Sequence, residues 1–209
     1  KNQPILESAI RRLEVADQRW WDGHTDPRSK QNAYYTARAH VMASQLPRMQ
    51  SSLPDTLDAA QRVSLRKAES HLQRALVGFR RLSDYLADLD DEQNLSKTDK
   101  AMQRNCMMFE ADVLKSMANY KEAAEVYRTV ESLYGGRPAA IEAIVGRASC
   151  AKKLGDDREC EILFRKASEM LKLIPDEADP EFAETTRYDR QGWQQLLDWM
   201  IQDFDKQKA

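Results

Sequence analysis

Residues 119–134 read NYKEAAEVYRTVESLY, and residues 156–171 read DDRECEILFRKASEML. Both follow one code: Ala123-x3-Tyr127-x2-Val130 in the first stretch and Cys160-x3-Phe164-x2-Ala167 in the second, at an offset of 37 residues. The same offset aligns Met107, Ala111 and Leu114 with Ile144, Ala148 and Ala151 upstream. Positions three and four apart share one face of an α-helix, so each frame is a pair of amphipathic helices. A small residue on each helix, Ala111 with Ala123 and Ala148 with Cys160, lets the two backbones approach, while Tyr127 and Phe164 fill the space toward the next pair. One hairpin of this kind cannot bury both of its faces, so the units must stack. The punctuation agrees: turns fall at Ala118-Asn119 and Gly155-Asp156, with a break at Gly135-Gly136-Arg137-Pro138 between the hairpins.

The code resembles the tetratricopeptide repeat, whose signature is a W-x2-L-G-x2-Y helix, an A-x3-F helix and a later Pro, repeating every 34 residues. The resemblance spans residues 102–175. It departs at the first large position, Met107 or Ile144 rather than Trp, at the Leu position, Glu110 or Arg147, and in its longer period. Upstream, Ala68-x3-Leu72-x2-Ala75 echoes the second-helix code, but an offset of 55 from Tyr127 does not fit the array. The resemblance implies an all-α fold, with antiparallel hairpins stacked as a short right-handed superhelix. It also implies that the first helix of each hairpin lines a groove holding an extended peptide or a partner helix. On this chain that points to the exposed positions of the fourth and sixth helices, with Asn105, Met108, Asp112, Lys115, Glu142, Val145, Ser149 and Lys152 as the candidates. Some family members clamp a C-terminal carboxylate there with Lys and Asn; Asp112, Glu142 and Ser149 speak against that ligand.

The rest of the chain is helical on independent grounds. Gly and Pro number only 7 each and charged residues reach 32%, a palette of good helix formers. Leu6, Ile10, Leu13, Ala16 and Trp20 predict a first helix ending at Gly23. Asp26-Pro27 predicts the cap of a second helix carrying Tyr34, Ala37, Val41 and Leu46, which Pro47 should kink or end. Ser52 to Pro54 restarts the chain, and the series from Leu57 to Leu86 predicts a third helix of about thirty residues. The polar stretch Asp88 to Lys97 should break it, with Thr98-Asp99 capping the fourth helix. Asp179-Pro180 is expected to cap a last helix, divided near Gly192, that bears Phe182, Tyr188, Trp193, Trp199 and Phe204. Residues 1–97 read as divergent hairpins, 98–175 as the two clear ones and 176–209 as a cap, together forming one domain.

Motifs for chemistry are sparse. His24, His40 and His71 form no HExxH or paired arrangement in sequence and read as scattered structural or solvated residues. Asp88, Asp90, Asp91 and Glu92 lack the Gly and terminal Glu of a calcium loop and read as a solvated linker. Only Gly135 and Gly136 are adjacent, so no phosphate loop is present. The third helix carries Arg62, Arg66, Lys67, Arg74, Arg80 and Arg81, diluted by Asp58, Glu69 and Asp84. With a pI near 6.0 and no interleaved aromatics, nucleic acid is not the expected partner. Cys106, Cys150 and Cys160 read as buried thiols, with a Cys150 to Cys160 bridge as the other reading. Asn94-Leu95-Ser96 matches a glycosylation sequon. Trp20-Trp21 and the Trp193 to Trp199 stripe, which includes Leu196, Leu197 and Met200, read as lids on the two ends of the stack or as partner anchors. The first 86 residues hold 14 basic and 9 acidic side chains and the remainder 18 and 25; such asymmetry can orient a partner, or simply reflect charged helix surfaces.

The expected function is therefore a non-catalytic protein–protein interaction scaffold, with no cofactor, no metal and no membrane insertion by this segment, and a protein or peptide as partner. No apolar run reaches the 18 residues a bilayer span requires. The start at Lys1 suggests a fragment or processed product. The alternative expectation is thus a regulatory or structural domain of a larger, membrane-anchored or envelope protein, with cytoplasmic and cell-envelope locations both open.

Overall fold

The computed structural model describes residues 3–21, 29–50, 59–91 and 95–208. Among them are nine α-helices and no strand: α1 Gln3–Trp21, α2 Ser29–Gln50, α3 Ala59–Asp91, α4 Lys97–Ser116, α5 Tyr120–Leu133, α6 Pro138–Lys153, α7 Asp157–Leu173, α8 Asp179–Thr185 and α9 Arg190–Lys208. A single turn of 3-10 helix, Asp176–Ala178, leads into α8. The chain is all-α, as its composition requires. It divides into two compact units, Lys1–Met117 and Ala118–Ala209, and the division falls at the turn expected inside the first hairpin.

In the first unit α1 packs on α2, α2 on α3 and α3 on α4. The long α3 supplies the core: Ala68, Leu72, Ala75, Phe79, Leu82 and Leu86 are all buried, on the spacing that predicted the helix. A Cβ placed on Gly78 would come 3.1 Å from that of Ala37, so the crossing of α3 over α2 is close. Three expectations are corrected. The second helix does not stop at Pro47 but continues to Gln50; a proline in the last turn removes a single backbone bond, which the end of a helix tolerates better than its middle. The cap of α4 is Ser96, not Thr98. The Ser96 side chain accepts from the Asp99 backbone N–H, and the Asp99 carboxylate in turn accepts from the Ser96 backbone N–H and hydroxyl. That box engages the hydroxyl of the sequon. The acidic residues 88–91 belong to α3 rather than to a linker. Gly23, His24, Asp26-Pro27, Ser52 to Pro54, Leu57, Asp58, Glu92 and Asn94 lie outside the described residues, as do the side chains of Trp20 and Trp21.

In the second unit α5 packs on α6, α6 on α7, and α7 on α9, with α8 against α6. The turn residues adopt the left-handed conformations that let a helix stop: Ala118 at φ 62°, Gly136 at 78° and Gly155 at 80°. Pro138 opens α6 from its first turn. Ile144, Ala148, Cys160, Phe164 and Ala167, five positions of the repeat code, share one buried cluster with Phe182, Trp193, Leu197 and Phe204 from α8 and α9. The predicted lid stripe is thus in place, Leu196 and Met200 packing beside it, whereas Trp199 faces outward and is 64% exposed. The last helix divides earlier than expected, at Thr186 to Asp189 rather than near Gly192. Arg190 ties together the segments on either side of the break. Its guanidinium donates to the backbone carbonyls of Leu171 at 3.0 Å, Ile174 at 2.9 Å and Pro175 at 2.8 Å, binds the Asp179 carboxylate and lies over the Phe182 ring. One side chain thereby caps α7 and anchors the start of α9. All three cysteines are free and buried; no Cys150 to Cys160 bridge forms.

Candidate functional site

The eight groove positions fall on two helices, Asn105, Met108, Asp112 and Lys115 on α4 in the first unit and Glu142, Val145, Ser149 and Lys152 on α6 in the second. Each set runs along one helix face at spacings of three and four residues. The expectation that they are exposed is corrected: all but Lys152 are half-buried. No residue from Ala101 to Lys115 is fully exposed, and none from Pro138 to Ala151. The outer helices differ: on α5, Lys121, Glu122, Glu125, Arg128 and Thr129 stand in solvent. The side chains on α4 and α6 are therefore recessed.

Neighbours set the α4 row. Asn105 accepts on Oδ1 from Arg104 Nε at 3.2 Å and Nη2 at 3.1 Å, and it hydrogen-bonds the Tyr34 hydroxyl. Burial raises the Tyr34 pKa above its ordinary value, which Arg38 and Asn105 partly oppose. Tyr34, Tyr35, Phe79 and Phe109 form a chain of ring contacts, with Phe79 and Phe109 stacked at 5.3 Å. The Arg38 guanidinium lies 5.7 Å from the Tyr34 ring centre and 5.4 Å from that of Phe109. Lys115 pairs with Asp112 at 3.0 Å. Tyr35 and Met42, 54% and 58% exposed, lie a helical repeat apart on α2 and went unnoticed in the sequence. Aromatic residues, Met and Arg are the types enriched at interfaces.

The α6 row is more fully used by the chain itself. Glu142 binds Arg187 at 2.8 Å. Val145 packs against the core cluster. Lys152 pairs with Asp157 at 2.7 Å and sits 5.5 Å from the Phe204 ring centre. Of the four, Ser149 is the one for which no such partner is seen.

The two Leu positions that depart from the repeat code are explained together. Glu110 and Arg147 are both shielded charges with partners, Glu110 with Arg80 at 2.7 Å and Arg147 with Glu131. Glu131 also binds Lys166. Burial alone would raise the Glu131 pKa, but the hydrogen bonds from Lys166 and Arg147 hold it below the ordinary carboxylate range. This network borders an open cavity of about 450 Å³ lined by α5, α6 and α7.

His40 and His71, read as scattered, lie together. His40 Nδ1 lies 2.9 Å from His71 Nδ1, and His40 Nε2 lies 3.3 Å from Glu14, which also holds Arg74 at 2.8 Å. Cavities of about 350 and 220 Å³ flank this cluster. Sequence could not pair residues 31 apart on two helices without their register. Among the described residues, no group of three His, Cys, Asp or Glu side chains is arranged to hold a metal ion, and no helix is long and apolar enough to cross a membrane. Comparison with protein-family models and with curated protein sequences finds no match to this chain.

Proposed function

We propose that the chain is a non-catalytic interaction scaffold in which each recessed row, that of α4 in the first unit and that of α6 in the second, receives a peptide or a partner helix. One observation carries the reading: over fifteen residues of α4 and fourteen of α6 every side chain is buried or half-buried, while the outer face of α5 carries ordinary solvated charge. A recessed helix face offers side-chain contact and excludes water around it, the condition under which interface residues contribute most. The tetratricopeptide-like spacing of residues 102–175 supports the same assignment.

The test is to select peptides from a random displayed library on the purified chain and to titrate them against variants. Met108→Glu, Ser149→Arg and charge reversal at Lys115 or Lys152 should each weaken binding by roughly tenfold or more, a loss of about 1.4 kcal/mol. Arg66→Glu on α3 and Glu122→Lys on α5, both exposed, should leave it unchanged. Affinities indifferent to all the recessed positions would overturn the proposal.

A further inference from the structure

Over its 22 residues α2 carries no acidic side chain, in a chain where acidic residues number 34 of 209. Gln31, Tyr35, Arg38, Met42 and Gln45 stand exposed along one face of it, at the three- and four-residue spacings that align side chains on a helix. Arg38 is held in place without an ion pair. Its guanidinium lies 5.4 Å from the centre of the Phe109 ring on α4 and 5.7 Å from that of Tyr34, and among the described residues no carboxylate binds it. The three carboxylates of α4 are taken, Asp99 by Lys30, Glu110 by Arg80 and Asp112 by Lys115. Against those three stand three basic residues of α2 and four of α4, so the pair of helices is short of negative charge.

Building on the reading of the α4 row as a binding face, we infer that this row and the exposed stripe of α2 meet at Phe109 to receive an acidic peptide. One Asp or Glu carboxylate of the peptide docks on Arg38, and apolar side chains beside it cover Tyr35 and Met42. Asn105 and Asp112 of the row lie one turn to either side of Phe109, and Asn105 bonds the Tyr34 hydroxyl, so row and stripe are continuous. A guanidinium packed against aromatic rings keeps its in-plane N–H groups for a carboxylate and can offer two of them at once. Because the two rings already hold Arg38, little side-chain freedom is left to lose when a partner arrives. Tyr35 and Met42, 54% and 58% exposed, flank it one turn away on either side, and burying them adds to the binding. One cation between two apolar side chains matches one carboxylate beside apolar residues. A nucleic acid needs a run of cations to follow, whereas the stripe offers Arg38 alone and the Glu110 and Asp112 carboxylates lie close to Phe109 in sequence.

A random displayed peptide library, selected in parallel on the whole wild-type chain and on Arg38→Gln, tests the assignment; Arg38 is exposed, so its replacement leaves the buried face of α2 intact. The wild-type pool should be enriched in Asp and Glu beside Leu, Met, Phe or Trp, and the Arg38→Gln pool should lack the acidic enrichment. The leading wild-type peptide, made with an amidated C-terminus so that only side-chain carboxylates count, is then titrated with its acidic residue present or replaced by the corresponding amide. That replacement should weaken binding to the wild-type chain by roughly tenfold and leave binding to Arg38→Gln unchanged. Equal acidic content in the two pools, or the same loss on both chains, overturns the proposal. Phosphoserine in place of the acidic residue, if it binds more than about tenfold tighter, overturns it in favour of a phosphopeptide, and full displacement by oligothymidylate overturns it in favour of a nucleic acid. Peptides that ignore Arg38→Gln but are weakened by Met108→Glu sink the acidic assignment alone and leave the α4 row standing. Peptides that ignore both sink the reading of the row as well.

Discussion

Replacing Gly146 by Ala adds one methyl group where α6 crosses α5 closely. A Cβ there would lie 2.5, 2.6 and 2.8 Å from Cζ, Cε1 and Cε2 of Tyr127, whereas carbon atoms rest at about 3.5 to 4.0 Å. The ring has nowhere to go, since Tyr127 is 1% exposed. Forcing α5 and α6 apart by the missing ångström falls in the overpacking range of about 1 to 3 kcal/mol. Ala is worth about 1 kcal/mol more than Gly inside a helix, which offsets part of that. Three contacts of 2.5 to 2.8 Å put the strain in the upper part of that range, about 2 to 3 kcal/mol, so the net expectation is a loss of about 1 to 2 kcal/mol, read by urea denaturation followed through helical circular dichroism. The crossing can be isolated with a second background. In Tyr127→Leu the ring atoms at Cε and Cζ are gone, so Gly146→Ala should change sign and stabilise by up to about 1 kcal/mol. A wild-type background in which Gly146→Ala is neutral or stabilising would refute the packing argument.

Arg190→Lys keeps the charge but cannot reach three carbonyls and a carboxylate at once; it should cost about 2 kcal/mol, seen as faster hydrogen exchange at the end of α7. Glu131→Gln leaves Arg147 and Lys166 without their shared carboxylate and should cost about 3 kcal/mol at neutral pH, measured by denaturant titration. Because the folded-state pKa of Glu131 lies below its ordinary value, its stabilisation is full above pH 4.5 and is lost as pH falls further. Stability of Glu131→Gln should therefore depend less on pH below 4.5 than that of the parent. His40 contributes in the same sense at higher pH: its pKa is lowered on folding, so the unfolded chain binds the extra proton and stability declines as pH falls from 6.5 toward 4, by a total of roughly 3 kcal/mol. Burial, reinforced by the charge of Glu110, pushes the Cys106 thiol up to about 12, and all three cysteines are buried and free. A thiol reagent at pH 8 should modify none of them in the native chain and all three in denaturant.

What the sequence made legible is what depends on spacing along one helix. The stripe from Ala68 to Leu86 on α3, the small and large positions of α6 and α7, and the Trp193, Leu197 face of α9 all lie where periodicity puts them. What stayed hidden depends on the register between helices. Gly146 carries no turn signal and matters only because Tyr127 lies across from it. Glu110 and Arg147 read as degenerate repeat positions until their partners, Arg80 and Glu131, are seen. The His40–His71 pair needs α2 and α3 in register to exist, and the contacts of Arg190 with the end of α7 join residues 15 to 19 apart in sequence. Ser96 outcompeted Thr98 as the cap because its hydroxyl reaches the Asp99 backbone.

The central claim is that partners are held along the recessed faces of α4 and α6. It is tested most directly by photo-crosslinking a library-selected peptide to chains carrying a photoreactive phenylalanine analogue in place of Met108, Ser149, Arg66 or Glu122. The account predicts adducts at 108, at 149 or at both, and none at 66 or 122. Adducts confined to 66 or 122 would contradict it.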